Sequence, residues 1–459
     1  MSMPPAPIRS LKYTSLSFLF ACTLVGCSTD DVSRGQLTLL VGQETNAWTV
    51  KPAAATVQVD MVQAGVHTSL ATEPAPPGVI TLGDGGPDAE VSFEATAFDA
   101  QNNPVMHGVS SGVSLQGFDE AALFVFLGRS GFSRPVGALQ YEHHHPQLTV
   151  WPNAYLLISG GDTAGSDPTQ LDVLDIAVSS LVADAPAFPQ AANGSAAVGT
   201  QVLLVGDTMS VWFDLVYTTS SPATPPPGLA FSEVSGGQTL QGPDGTQYLV
   251  GATRASGTPT DKVLQVNPDG TLATLVLSEP RLGAAAAMVE GNLVVVGGSA
   301  SGAGGEQLAA GTTSFAPLSL PADETEGAGL AELTPTSLII AGGHDATTGA
   351  ASATRSIDLS CTDTCTATEI ADLDLTLTGT RAFALSANRV LVVGDADDGQ
   401  THAFTLDVSG ASPVSTEQVF REARSGASAA LLANGQVAVA GGDDPSSGSA
   451  ITSVELFFP

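Results

Sequence analysis

One short phrase recurs seven times between residues 155 and 442: an apolar strand that runs into a glycine. A repeat of about 40–50 residues that contains only strands is typical of a β-propeller, in which each repeat forms one blade. The sequence therefore predicts an all-β chain whose repeat region, residues 129–459, is a seven-bladed β-propeller. The repeat glycines are Gly160, Gly206, Gly251, Gly297, Gly342, Gly394 and Gly441.

Each repeat can be divided into the strands of one blade. The last repeat contains three of them, at 426–433, 436–442 and 453–457. The segment 131–137, just before the first repeat, resembles the outer strands of the other blades. We therefore expect it to pair with 453–457 and close the ring, which removes an exposed sheet edge. A glycine at the end of each second strand allows a positive φ and a close backbone approach.

The repeats resemble kelch repeats, a family of propeller-forming modules. The resemblance covers about residues 138–459 and depends on a small-residue strand that precedes an apolar run with a double glycine. Three repeats lack the second glycine, and the Tyr and Trp that usually follow it are mostly absent. The resemblance implies a propeller, and kelch-type propellers are mostly binding scaffolds, with a few enzymes among them. The intact double glycines are Gly160-Gly161, Gly297-Gly298, Gly342-Gly343 and Gly441-Gly442.

The N-terminus has the pattern of an export signal. Residues 1–26 combine Arg9 and Lys12 with an apolar stretch that is too short to span a bilayer. This stretch ends in Leu-Val-Gly followed by Cys27, which resembles the bacterial lipobox. The resemblance implies that Cys27 is lipidated and becomes the first mature residue of a membrane-anchored lipoprotein. Ser28 after the anchor favours the outer membrane of a Gram-negative bacterium, and residues 27–35 are predicted to be a short tether.

The segment between the tether and the first repeat has a different sequence pattern. Residues 36–128 contain several short alternating runs divided by turn clusters that are rich in Gly, Pro and Asn. This pattern predicts a small immunoglobulin-like β-sandwich domain. A single six-stranded sheet packed against the propeller would give the same pattern, and the sequence leaves that alternative open.

Charge and cysteine usage restrict the partners and the compartment. The net charge of −32 repels nucleic acid and anionic lipid headgroups, so neither is expected as a primary partner. Once Cys22 leaves with the signal and Cys27 is lipidated, only Cys361 and Cys365 remain. In an oxidising compartment this pair is expected to form a local disulfide, because zinc would need two more ligands.

Few residues indicate chemistry. His143 and His145 lie in a run of three histidines near one mouth of the predicted channel, and Asp395 and Asp397 follow a repeat glycine. They are candidate metal ligands; the alternatives are a polar channel lining for the histidines and ordinary acidic turn residues for the aspartates. Calcium is the one ion these acids could hold, but their spacing is not that of a complete calcium loop, so no cofactor is predicted.

These observations favour a monomeric envelope lipoprotein that serves as a binding or interaction scaffold through its propeller loops. Its ligand, a protein or a carbohydrate, is not specified by the sequence, and no enzymatic activity is predicted. The alternative is a hydrolytic or metal-dependent propeller enzyme with its site at the channel mouth. A cluster of titratable groups with perturbed pKa values at the mouth would favour the enzyme, whereas a lining of Ser, Thr, Ala and Gly would favour binding.

Overall fold

The computed structural model describes residues 35–459, apart from gaps at 83–89, 111, 115–121, 136, 152–154, 162–170, 177–179, 183–191, 207–208, 215, 218, 253–257, 300, 362–364, 372, 374 and 411. These residues belong to one compact unit. The predicted signal segment and the lipidation candidate Cys27 lie outside the described residues. Within the described part, no helix has the length and apolar character needed to cross a membrane.

The first region consists of two sheets. One has the strand order β4-β1-β8, with β1 and β8 parallel, and the other has the order β3-β2-β5-β6, with β7 paired to β5. The strands are β1 (Gln36–Leu40), β2 (Thr56–Gln63), β3 (Val66–Pro74), β4 (Ile80–Thr81), β5 (Glu90–Phe98), β6 (Pro104–Val109), β7 (Val113–Ser114) and β8 (Ala122–Phe126).

Alternation of apolar and polar residues explains why these strands form two layers. In β5, every second residue from Val91 onward is buried, so one face of the strand points to a core and the other to solvent. Leu37 and Leu123 from the first sheet join Val57 and Phe93 from the second in one hydrophobic cluster. The single six-stranded sheet that the sequence left open is not what forms.

The remaining strands build seven four-stranded antiparallel sheets in the described residues. We number these sheets 1 to 7 in chain order. Sheet 1 contains β10 (Gln147–Trp151), β11 (Tyr155–Ser159), β12 (Leu171–Asp175) and β13 (Ser180–Leu181), and β9 (Gly131–Ser133) precedes it in the chain. Sheet 2 contains β14 (Gly194–Val198), β15 (Gln201–Val205), β16 (Ser210–Asp214) and β17 (Thr219–Pro222), and a 3-10 helix at Phe231–Glu233 follows it. Sheet 3 contains β18 (Gln238–Gln241), β19 (Gln247–Val250), β20 (Thr260–Val266) and β21 (Leu272–Arg281), and sheet 4 contains β22 (Ala285–Val289), β23 (Asn292–Val296), β24 (Gly305–Leu308) and β25 (Phe315–Leu318).

Sheets 5 to 7 continue the same pattern. Sheet 5 contains β27 (Gly329–Thr334), β28 (Ser337–Ala341), β30 (Thr354–Asp358) and β31 (Ala367–Ala371), and β26 (Thr325–Glu326) and β29 (His344–Asp345) form a separate short pair. Sheet 6 contains β32 (Leu377–Ser386), β33 (Arg389–Ala396), β34 (Thr401–Asp407) and β35 (Val414–Glu417). Sheet 7 contains β36 (Ser428–Leu431), β37 (Val437–Ala440) and β38 (Val454–Phe458), and β9 is its fourth strand.

Neighbouring sheets pack face to face around a ring. A hydrophobic cluster lies between each consecutive pair, and a further cluster joins sheet 7 back to sheet 1. The second strands are apolar on both faces because each is covered by two neighbours; in β37, all four residues from Val437 to Ala440 are buried. The predicted β-propeller architecture is therefore confirmed.

The ring closes through strands from opposite ends of the repeat region. β9 pairs antiparallel with β38, and Phe132 lies opposite Phe457. This is the pairing that the sequence predicts for the segment 131–137. The last sheet thus obtains its fourth strand from residues that precede the first sheet, and β38 is no longer an edge strand.

The repeat glycines serve close packing between sheets. Gly251 has φ +71°, and a Cβ atom there would lie 2.3 Å from the carbonyl oxygen of Ala284, which leads into the next sheet. Gly394 differs from the expectation: its φ is not positive, because β33 continues through it to Ala396. It is retained for space alone, since a Cβ would lie 3.0 Å from both the Thr378 carbonyl and the Thr380 hydroxyl oxygens.

The predicted disulfide is present. Cys361 and Cys365 are bonded, with a Cα–Cα distance of 5.1 Å, in the connection between β30 and β31 of sheet 5. Cys365 is buried in the hydrophobic cluster between sheets 4 and 5. The bond therefore fixes the outer loop of the longest repeat against the propeller core.

Candidate functional site

A central channel forms a large cavity in the described part of the chain. Its cavity of about 570 Å³ is lined by the first strands of six of the seven sheets, namely β10, β18, β22, β27, β32 and β36. Each of these strands lies at the end of its sheet, so one backbone edge has no neighbouring strand. Most of the lining residues are small or uncharged, and Glu332, Arg381 and Asp395 are the charged ones.

Many polar side chains near this channel already bond to the neighbouring first strand. Gln238 donates to the carbonyl of Ala286 at 2.8 Å, and Thr239 donates to the carbonyl of Ser195 at 2.5 Å. Ser428 likewise donates to the carbonyl of Pro146. Similar contacts join Thr149 to Ser195 and Gln247 to Ala197. These side chains hold sheets 7, 1, 2, 3 and 4 together, and their hydrogen bonds are used within the protein.

Arg381 enters the channel at a break in strand pairing. Thr378 pairs with Asp395 and Arg381 pairs with Val393, so two residues of β32 face Gly394 alone. This is a β-bulge, a feature that re-aims the side chain beside it and is common next to active sites. The first strands of sheets 1, 2, 3, 4 and 7 pair with their second strands without such a shift.

Arg381 has few hydrogen-bond and ion-pair partners among the described residues. Its side chain is half-buried in the channel wall and makes one long hydrogen bond of 3.4 Å, to the carbonyl of its neighbour Thr380. Among the described residues no carboxylate forms an ion pair with it. Burial lowers the pKa of Arg381, and no acidic neighbour offsets this effect. The side chain nevertheless stays charged, because an arginine pKa remains far above neutral pH.

Glu332 is the second unpaired charged group of the channel. It lies on β27 and is half-buried. Burial raises the pKa of Glu332; a hydrogen bond from the backbone N–H of Glu290 lowers it, while the negative charge of Glu290 raises it further. This carboxyl group is therefore protonated more readily than that of an ordinary surface glutamate.

The histidine run is tied into the fold and lies before β10 rather than on a strand. His143 is buried, with Nδ1 2.9 Å from the carbonyl oxygen of Gly160 and Nε2 3.2 Å from a carboxylate oxygen of Asp172. His144 bonds through Nδ1 to Asp443 at 2.5 Å. Both ring nitrogens of His143 therefore face oxygen acceptors, which leaves neither of them free to bind a metal ion.

Two other sheets contain an arginine where sheet 1 has His143. Arg281 and Arg424 each precede a first strand, donate to the carbonyl of a repeat glycine and pair with a buried glutamate on the third strand. The pairs are Arg281 with Glu306 at 3.0 Å and Arg424 with Glu455 at 2.8 Å. His143 and Asp172 thus take the places of the arginine and the glutamate in sheet 1.

The acidic candidates do not form a metal site in the described residues. Asp395 accepts hydrogen bonds from the Thr401 hydroxyl at 2.5 Å and the Gly426 backbone N–H at 3.1 Å. Asp397 is exposed in the turn between β33 and β34. His145 lies against Gly426, the residue whose N–H bonds to Asp395. No group of three or more His, Cys, Asp or Glu side chains in the described part of the chain could hold a metal ion.

Sequence reasoning missed Arg381 and Glu332. The signal was available, because both are charged residues inside first strands that otherwise contain small, apolar or hydroxyl residues. The paired arginines carried a different signal, since each stands two residues before a glycine that opens the small-residue strand, as in Arg281-Leu-Gly and Arg424-Ser-Gly. Position relative to that glycine separates the two kinds of arginine.

Comparisons with known proteins add little beyond the fold. No protein-family model and no curated protein matches the chain. Among solved structures, one titled "Structure of YjhT" is 12% identical with a TM-score of 0.38, covering 70% of this chain and 95% of that one. A streptogramin B lyase structure is 12% identical with a TM-score of 0.42, covering 71% of this chain and 97% of that one. The chain is similar to these β-propeller-like proteins.

Proposed function

We propose that this chain is a lipid-anchored envelope protein that binds a small polar ligand in the central channel of a kelch-like propeller. The observation that carries the proposal is the channel cavity of about 570 Å³ with an arginine, Arg381, that has no carboxylate partner among the described residues. A cavity of this size is in the range of small-molecule sites, which combine mostly apolar walls with a few placed polar groups.

The finer architecture belongs to the same proposal. We infer a closed ring of seven blades, supported by the seven clusters that join consecutive sheets and by the pairing of β9 with β38. We also infer an immunoglobulin-like domain before the propeller. It is supported by the two sheets around a common core and by the parallel pairing of β1 with β8.

The location is proposed from the sequence. The lipobox-like segment that ends at Cys27, the serine after it and the disulfide between Cys361 and Cys365 all fit an exported lipoprotein of the outer membrane. Incorporation of labelled palmitate into the full-length chain, absent from a Cys27→Ala variant, is the expected result. Equal labelling of both proteins would contradict the anchor.

The geometry supports binding more than catalysis. Arg381 and Glu332 form no ion pair with each other, and the described wall offers no nucleophile paired with a base beside them. His143, the titratable group nearest the predicted enzyme site, is occupied by Gly160 and Asp172. Among the uncharged residues of the lining, alanine is the most frequent, followed by leucine and glutamine.

Filling the channel tests the proposal. The secreted Cys27→Ala chain would be incubated with an extract of the bacterial envelope, and retained molecules would be identified by mass spectrometry. Ala384→Trp places a large side chain at an exposed position of the channel wall, whereas Ala309→Trp adds the same side chain at an exposed site outside it. We expect the first variant to lose the retained small molecules and the second to keep them. Retention of the same molecules by both variants would contradict a channel site.

A further inference from the structure

We propose that the channel selects a ligand that carries one carboxylate group and that the guanidinium of Arg381 binds this group. The inference rests on the proposed channel site and specifies the chemistry of its ligand. A planar guanidinium matches the two oxygens of a carboxylate and forms two parallel hydrogen bonds with it.

Many polar side chains around the channel already have hydrogen-bond partners within the protein. The hydroxyls and amides that join neighbouring first strands are already bonded, as in Gln238 to Ala286 and Ser428 to Pro146. Asp395 accepts through Oδ1 from Thr401 and Gly426, and it forms no ion pair with Arg381 in the described residues. Arg381 therefore remains as the cation of the described wall that has hydrogen-bond donors to offer.

A half-buried arginine without an acidic partner raises the free energy of the folded protein. Arg281 and Arg424 show how the fold treats a structural arginine, since each is fully buried, paired with a glutamate and bonded to a backbone carbonyl. Arg381 makes one long hydrogen bond, to the carbonyl of Thr380, and pairs with no carboxylate of the described residues, while burial lowers its pKa. A bulge in β32 places it in the channel instead. A bound anion would supply the acidic partner that the described residues do not.

The acidic surroundings of Arg381 favour a carboxylate over a phosphate as the bound anion. The chain has a net charge of −32, and the channel wall contains the carboxyl groups of Glu332 and Asp395 beside one arginine. A monoanion is neutralised by that arginine, whereas a phosphate monoester carries more negative charge and would keep an excess within this acidic surrounding. The wall therefore favours a carboxylate.

Other groups of the wall would bind the remainder of the ligand. Gln147 and Gln241 line the cavity, and the amide groups of both are free of hydrogen bonds to the described residues. Glu332 adds a carboxyl that can accept a hydrogen bond. Amide and carboxyl groups of this kind suit hydroxyl or amide groups on the ligand. The inferred ligand is a small polar acid rather than a fatty acid.

Ligand-observed NMR with matched pairs of probes tests the inference. The probes with one carboxylate are glutaramate, glucuronate and N-acetylglycinate, and their neutral partners are glutaramide, the methyl ester of glucuronic acid and N-acetylglycinamide; methyl phosphate is the phosphate arm. The proteins are the secreted Cys27→Ala chain and the same chain with Arg381→Gln or Arg389→Gln. Arg389 is an arginine of the same blade outside the channel wall and serves as the matched control for charge.

We expect at least one carboxylate to bind more tightly than its neutral partner and methyl phosphate. Arg381→Gln should weaken that binding by about tenfold or more, while Arg389→Gln leaves it within about twofold. Equal binding of acid and neutral partner, preference for methyl phosphate, no binding of any carboxylate, or equal binding by wild type and Arg381→Gln would overturn the inference. The channel-filling experiment reports on the site itself, so a failure of the ligand class and a failure of the site can be told apart.

Discussion

The propeller contains arginines in two different environments. The arginines of sheets 4 and 7 are buried and paired with a glutamate, and Arg381 of sheet 6 lies in the channel wall. In sheets 4 and 7, Arg281 and Arg424 are 2% and 0% exposed, and each is paired with a fully buried glutamate. In sheet 6, Arg381 follows a bulge, remains half-buried and has no acidic partner in the described residues. The same side chain thus stabilises the ring in two blades and is left available in a third.

This difference separates structural charge from functional charge. Moving a charge out of water costs free energy unless a partner offsets it, so an arginine that has no acidic partner in the described residues requires another reason to be retained. Sheet 1 supports this interpretation, because His143 and Asp172 take the places of the arginine and the glutamate. The histidine run, which the sequence presents as a metal candidate, belongs with the structural pairs.

The largest expected effect comes from breaking a structural pair. Arg424→Ala should lower the free energy of unfolding by about 3–5 kcal/mol, because it leaves the buried carboxylate of Glu455 without its partner. Chemical denaturation measures this loss. Replacement of both partners, Arg424→Met with Glu455→Met, should cost less than Arg424→Ala alone. A loss below about 1 kcal/mol for Arg424→Ala would remove the distinction between the two kinds of arginine.

A smaller loss is expected in sheet 1. His143→Ala should lower the free energy of unfolding by about 1–3 kcal/mol, because it leaves buried Asp172 without one of its hydrogen bonds. Elemental analysis of wild type and variant should show the same metal content, and treatment with a chelator should not change the unfolding midpoint of the wild type. A metal ion that is lost with His143 would contradict its structural role.

A smaller effect of opposite sign is expected at Glu332. Because its pKa is raised in the folded chain, mainly by burial, the folded state binds the proton more tightly than the unfolded state. Stability is therefore lost as pH rises through the raised pKa. Glu332→Gln should be slightly more stable than wild type at neutral pH and equal to it below the ordinary glutamate range. Glu369→Gln, at an exposed position of the same sheet, is the control. A variant less stable than wild type at neutral pH would contradict this account.

The smallest effect on stability is expected for Arg381→Gln. It removes no ion pair with a described residue, so the free energy of unfolding should change by less than about 0.5 kcal/mol. Thermal and chemical unfolding measure this. A loss comparable to that of Arg424→Ala would show that Arg381 has a structural partner, and the comparison between sheets would fail.

Much of the fold follows from local patterns in the sequence. The seven strand-glycine repeats predict the propeller, and the character of residues 131–137 predicts the pairing of β9 with β38, because strand pairing and edge protection depend on short segments. The disulfide follows from two neighbouring cysteines. The positive φ expected at every repeat glycine is wrong at Gly394, where the strand continues.

The site could be predicted less well, because it depends on which partners the fold brings together. His143 contacts Asp172 only because the fold brings together residues that are 29 apart in the sequence. Arg381 differs from the paired arginines because it has no acidic partner in the described residues. The bulge that aims Arg381 depends on the register between β32 and β33, which strand patterns alone do not define. A charged residue inside a small-residue strand is the one local sign of it.

Chemical modification of arginine tests the central claim most directly. Phenylglyoxal reacts with accessible guanidinium groups, and peptide mass mapping of the folded protein gives the rate at each arginine. The account predicts that Arg381 is modified while Arg281 and Arg424, which are buried and paired, are spared until the protein unfolds. Equal protection of Arg381 and Arg424 in the folded chain, or equal reactivity of both, would contradict it.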